Sequence, residues 1–180
     1  AVCAYPAKSA VFRTADLEKA GDMKDRYGRT INYMRISVAR DCNLSCRYCM
    51  PPGEQREVSG KLLSDSEILR VAKAAAELGI TRFKLTGGEP LMRPGIVRLA
   101  AAIRAFPDTE AVTVTTNGVL LAKLAKDLKK AGVDAVNVSL DTLDPSYFQW
   151  LTGHDALERV IEGIEAAQAA GLFVKLNAVQ

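Results

Sequence analysis

Arg82-Phe83-Lys84-Leu85-Thr86-Gly87-Gly88-Glu89-Pro90 is the stretch that decides how the chain folds. Phe83 and Leu85 alternate with Lys84 and Thr86, so one face of the run is apolar and the other polar, as on a strand whose side chains alternate with period two. The run then breaks on Gly87-Gly88 and Pro90, which marks a strand end. Four more runs repeat the pattern, at 33–38, 111–115, 135–140 and 173–179. In them Met34, Ile36 and Val38 interleave with Arg35 and Ser37, and Val112 and Val114 with Thr113 and Thr115. Val136, Val138 and Leu140 interleave with Asn137, Ser139 and Asp141, and Val174 and Leu176 with Lys175 and Asn177.

Helical patterns fill most of the gaps. Ser64 and Glu67 form a capping box ahead of Ile68, Leu69, Val71 and Ala72, and that helix stops at Gly79. Others are expected over 95–106, 120–131 and 156–170, the last two ending at Gly132 and Gly171. Repeated strand–helix units imply an α/β fold with a parallel sheet and right-handed crossovers. Parallel strands buried on both faces should be apolar throughout, and these are not. The reading is therefore a partial open (β/α) barrel: helices cover the apolar face and the polar face lines a solvated lumen. A plain solvent-exposed sheet face is the alternative. Residues 1–24 read as a polar N-terminal arm and 25–180 as the barrel domain.

Composition narrows the class. With 180 residues and 48% hydrophobic content the chain can build one globular core. A net charge of +3 is too small to imply nucleic acid, and no apolar run reaches the ~18 residues of a membrane helix. No secretory signal pattern is present. Three of the four cysteines fall within eight positions, which is not a disulfide framework, so a reducing, cytoplasmic setting is expected.

Those three cysteines are Cys42, Cys46 and Cys49, spaced C-x3-C-x2-C directly after the first strand. Three thiolates on one short loop can hold three irons of a cubane cluster and leave the fourth open to a small molecule. Zinc is the rival, but His154, the one histidine, is about 100 residues away and reads as a surface residue. Inert packing is the remaining alternative, and Cys3 reads as incidental. Other polar clusters fall at strand ends: Gly87-Gly88-Glu89, Thr115-Thr116-Asn117-Gly118 and Ser139-Leu140-Asp141. Strand C-terminal ends form the catalytic rim of such barrels. The glycines there would let backbone approach a ligand, and Glu89 could bind an ammonium group. Lumen-facing Arg35, Lys84 and Lys175 suggest an anionic ligand such as a polyphosphate, unless they pair with Asp41, Glu89 or Asp141.

The cysteine spacing, with an aromatic residue before the last cysteine and Gly-Gly-Glu-Pro after the second strand, resembles the radical S-adenosylmethionine superfamily. A longer match is similar to its GTP 3',8-cyclase family. It runs over 25–29, 34–38, 42–51, 85–93, 115–118 and 136–141. The resemblance implies a lyase of molybdenum cofactor biosynthesis that converts GTP to 3',8-cyclo-7,8-dihydro-GTP, built on a six-stranded three-quarter barrel of which this chain holds about five strands. It implies that Cys42, Cys46 and Cys49 ligate a 4Fe–4S cluster whose unique iron chelates S-adenosylmethionine. Tyr48, Gly88 and Ser139 would contact S-adenosylmethionine, with Glu89 and Asn117 as further contacts. Arg35, Lys84, Thr115 and Lys175 would contact GTP. No side chain is singled out as catalytic, because the cofactors carry the chemistry. A low-potential electron donor and a homodimer are expected as partners, and neither nucleic acid nor membrane.

The match departs in two places. The family usually has Thr-Asp-Arg before its first cysteine, where this chain has Ala39-Arg40-Asp41. Family members are also longer and carry a second three-cysteine cluster in a C-terminal region. The expectation is thus of a fragment that binds one cluster but does not turn over GTP alone. A peptide-modifying maturase and a non-catalytic electron carrier are the other readings of the cysteine loop.

Overall fold

All five alternating runs are strands of one sheet: β1 (Tyr33–Ala39), β2 (Arg82–Gly87), β3 (Ala111–Thr116), β4 (Ala135–Ser139) and β5 (Phe173–Asn177). Their spatial order is β1-β2-β3-β4-β5 and every neighbouring pair is parallel. Each crossover therefore steps in the same direction, as around a barrel wall, and the order never reverses as it does in a doubly wound sheet. The sheet is open, as expected. The structure is a computed structural model that describes residues 23–49 and 61–179. Nearly all of the expected N-terminal arm, including Cys3, lies outside the described residues, as do Met50 and the Pro51-Pro52-Gly53 end of the cysteine loop.

Among the described residues five α-helices connect the strands: α1 (Asp65–Glu77), α2 (Ile96–Arg104), α3 (Leu121–Lys130), α4 (Pro145–Thr152) and α5 (Leu157–Ala169). The Ser64 hydroxyl accepts the Glu67 N–H, and the Glu67 carboxylate accepts the Ser64 N–H at 2.8 Å, so the expected capping box starts α1. The apolar strand face (Ile36, Val38, Phe83, Leu85, Val112, Val114, Val136, Val138) is buried under Ile68, Leu99, Ile103, Leu128 and Val160 from the helices. Leu176 on β5 stays 53% exposed, since no helix follows it among the described residues.

The sequence pattern missed α4. Its signals were present: Pro145 opens the helix, the Asp144 carboxylate caps it by accepting the Tyr147 N–H, and left-handed Gly153 ends it. Strand ends also differ slightly. β5 stops at Asn177, two residues short of the expected end, and β4 stops at Ser139. β1 runs on to Ala39 through an irregularity that takes Val38 out of register with β2.

Candidate functional site

The polar face carries the cations together. Arg35 lies directly opposite Lys84 across β1 and β2, and Lys175 lies opposite Asn137 across β4 and β5. Thr115, half-buried on β3, also lies opposite Asn137. Burial lowers the Lys84 ammonium pKa from its usual value, and the positive charges of Arg35 and Lys175 lower it further, so the three cations share one space. The Lys84 amine also lies 5.8 Å from the centre of the Tyr33 ring. Among the described residues none of the three forms an ion pair. Two of the carboxylates that could have neutralised them, Asp141 and Glu89, have other partners. Asp141 accepts the Tyr48 hydroxyl at 2.9 Å and the Val179 N–H at 2.8 Å. Glu89 accepts the N–H groups of Leu91 and Asn117, at 2.9 and 2.7 Å, and the Thr116 hydroxyl at 2.8 Å.

Glu89 is 1% exposed, and its carboxylate points inward, where it ties the end of β2 to the end of β3. Burial raises its pKa above the ordinary value while its three donors pull the other way. The glycines before it meet protein rather than open space. The Gly88 N–H donates to the Ala39 carbonyl and the Glu89 N–H to the Asp41 carbonyl, both at 2.8 Å. A side chain on Gly88 would come within 2.5 Å of the Arg40 carbonyl oxygen and closer still to that of Asp41. Gly87, at φ 147°, would meet Ala39 in the same way. The two glycines let the β2 end seat the segment that launches the cysteine loop.

That loop is gripped from three sides. The N–H groups of Ser45 and Arg47 donate to the carbonyls of Thr152 and Leu151 at the end of α4, at 2.8 and 2.9 Å. The Arg47 side chain donates to the Trp150 carbonyl at 2.8 Å and lies over the Trp150 ring. The Asn117 amide, after β3, donates to Asn43 at 2.8 Å and to the Cys42 sulfur at 3.6 Å. Tyr48 reaches the end of β4 through Asp141; burial and that hydrogen bond hold its phenol well above the ordinary range. Half-buried Ser139 ends β4 on the same polar face, opposite Asn177. Arg47, Trp150 and Asp141 were not expected as loop supports. Only the missed α4 brings the first two together.

Cys42, Cys46 and Cys49 are free thiols, two exposed and one half-buried. Burial raises the Cys46 thiol pKa, a Tyr48 hydrogen bond lowers it, and the neighbouring Cys49 and Cys42 sulfurs raise it again. The sulfurs thus repel as thiolates and would be relieved by a bound cationic group. No three such side chains converge on one metal-ion position among the described residues. A cubane does not require that, since each thiolate meets a different iron, whereas a zinc ion needs its ligands at one point. Three cysteine sulfurs on one loop are the donor type such a cluster takes. His154 is exposed beside α4.

The family model of the Radical SAM superfamily matches residues 36–179. A GTP 3',8-cyclase of Petrotoga mobilis is 46% identical over 159 residues, covering 87% of this chain and 49% of that protein. One from Peptoclostridium acidaminophilum is 48% identical over 157 residues, covering 86% and 48%. The chain thus spans about half the length of the curated relatives it matches. Streptococcus suis SuiB, solved with its precursor peptide SuiA, shares the fold with a TM-score of 0.68 at 24% identity, over 91% of this chain and 35% of SuiB. An open parallel sheet, a C-x3-C-x2-C loop at its rim and a family match over residues 36–179 lead to one conclusion: the chain belongs to the Radical SAM superfamily.

Proposed function

We propose that this chain is the S-adenosylmethionine-cleaving part of a GTP 3',8-cyclase. The observation that carries the reading is the group of three cations, Arg35, Lys84 and Lys175, on the polar face of the sheet, none of which forms an ion pair among the described residues. Holding like charges together costs stability unless an anion joins them. A triphosphate supplies that charge, and the 43–48% identity to GTP 3',8-cyclases over most of the chain supports GTP as its source.

In this reading Cys42, Cys46 and Cys49 hold three irons of a 4Fe–4S cluster. With such a cluster bound, these residues would place it for one-electron reductive cleavage of the C5'–S bond of S-adenosylmethionine, the electron coming from a low-potential donor and the products being methionine and a 5'-deoxyadenosyl radical. Tyr48, Gly88 and Ser139 contact S-adenosylmethionine; Asn117 and Glu89 serve the same side, Glu89 through the loop it ties. Arg35, Lys84 and Lys175 hold the triphosphate, and Thr115 adds a hydroxyl contact. The polar face would orient the ribose. A second cluster, a homodimer and a cytoplasmic setting belong to the same proposal. No ligand set for the second cluster is present, Cys3 being the one further cysteine. No helix among the described residues is long and apolar enough to cross a membrane.

Lys84→Ala tests the reading. Losing one charge-assisted phosphate contact should weaken GTP binding roughly ten- to a hundredfold. Calorimetric titration of GTP against the anaerobically reconstituted protein measures it. The ligand-free variant should unfold no earlier than the parent, because the like-charged Arg35–Lys84 pair is relieved. Unchanged GTP affinity, or no GTP binding by the parent, would sink the cyclase assignment and favour a peptide substrate.

A further inference from the structure

Asn117 faces the cysteine loop with an orientation that can be read from its partners. Its Oδ1 accepts the Val119 N–H at 3.1 Å, which is an Asx turn and fixes which end of the amide is oxygen. The Nδ2 group is therefore the end turned to the loop. One of its hydrogens meets Asn43 Oδ1 at 2.8 Å, and the other is left for the Cys42 sulfur at 3.6 Å, an ordinary distance for a donor to the larger sulfur atom. The backbone beneath is equally determined. The Asn117 N–H donates to Glu89 Oε2 at 2.7 Å, and the Thr116 hydroxyl, which donates to Glu89 Oε1, accepts the Gly118 N–H at 3.0 Å. Thr116 and Glu89 are 2% and 1% exposed, so water does not loosen this base.

An amide aimed at a ligand sulfur has a physical consequence. Hydrogen bonds to the sulfurs are among the factors that set the potential of an iron–sulfur cluster. Each stabilises charge on the thiolate, and adding an electron raises that charge, so a donor favours the reduced state. We infer that Asn117 is a positioning residue for the cluster: through its N–H to the Cys42 sulfur, on a base anchored by buried Glu89, it raises the cluster's reduction potential. The inference rests on the reading of Cys42, Cys46 and Cys49 as cluster ligands.

Two substitutions keep the turn and remove the amide donor, together with its bond to Asn43. Asn117→Ser retains an oxygen for the Val119 N–H but is too short to reach Cys42. Asn117→Asp is isosteric and replaces the N–H with a negative oxygen. EPR-monitored redox titration of the reconstituted protein, without GTP or S-adenosylmethionine, reads the effect. The serine variant should hold as much iron as the parent and show an about tenfold lower ratio of reduced to oxidised cluster at a fixed ambient potential near the midpoint. For a one-electron couple this is a fall of about 59 mV. The aspartate variant should fall further in the same direction. An unchanged potential in both would overturn the inference, and so would an unchanged potential with weakened S-adenosylmethionine binding, which would assign Asn117 to that ligand alone. A parent protein that assembles no iron–sulfur cluster would instead defeat the reading beneath it, so the two failures are distinguishable.

Discussion

Gly88→Ala is expected to destabilise the protein by ~3 kcal/mol and to leave it unable to retain iron. The added methyl points at the backbone of Arg40 and Asp41, within 2.5 Å of the Arg40 carbonyl oxygen. Flexible side chains can swing aside from such an overlap, but these obstacles are main-chain carbonyls. The Asp41 carbonyl is held by the Glu89 N–H, and the Gly88 N–H holds the adjoining Ala39 carbonyl. Relief requires the 39–41 segment to move, and Cys42 is the next residue. The same displacement weakens the reach of Asn117 to the Cys42 sulfur. Urea unfolding followed by circular dichroism, with iron content after anaerobic reconstitution, measures both effects. A variant as stable as the parent, with full iron, would show that the strand-end glycines do not seat the loop.

Arg93→Met should cost about 3 kcal/mol, at the low end for breaking a buried ion pair. The Arg93 side chain is 7% exposed and joins three parts of the chain. It donates to Asp65 at the start of α1, to the Leu63 carbonyl ahead of that helix, and to the Val38 carbonyl in β1. Val38 is the residue that the β1 irregularity takes out of register with β2, and the arginine supplies its carbonyl with a donor. Asp65 is 40% exposed and can be hydrated once alone, which keeps the loss near the lower bound. Arg93→Lys should recover only a minor part, because one ammonium group cannot span three acceptors as a guanidinium fork does. The urea midpoint of the two variants measures this. Equal stability of the lysine variant and the parent would rule out the fork geometry as the cause.

The strands were legible because their alternation is strict. Lys84 between Phe83 and Leu85, or Asn137 between Val136 and Val138, leaves one way to orient each strand. Their parallel pairing followed from the helices between them, and the shared face of Arg35, Lys84 and Lys175 from the period of two. What local pattern could not supply was the partner of each strand-end residue. Gly87-Gly88 reads as close approach to a ligand, and local pattern does not show that the pairing of β1 and β2 also brings Ala39, Arg40 and Asp41 against the side a Cβ would take. Glu89 reads as an outward carboxylate, yet three donors from two loops turn it inward, and two of these are supplied from 27 and 28 residues away. α4 carries an Asp-Pro start and a Gly stop, but its eight residues were too short for the apolar period to announce it. With α4 went the docking of Ser45 and Arg47, which depends on contacts more than 100 residues apart in sequence.

Anaerobic reconstitution with iron and sulfide, followed by metal and sulfide analysis and EPR of the reduced protein with and without S-adenosylmethionine, tests the central claim most directly. About four irons and four sulfides are expected at Cys42, Cys46 and Cys49, with no zinc and a spectrum that changes when S-adenosylmethionine is added. Zinc in place of iron, or a spectrum indifferent to S-adenosylmethionine, would contradict that claim.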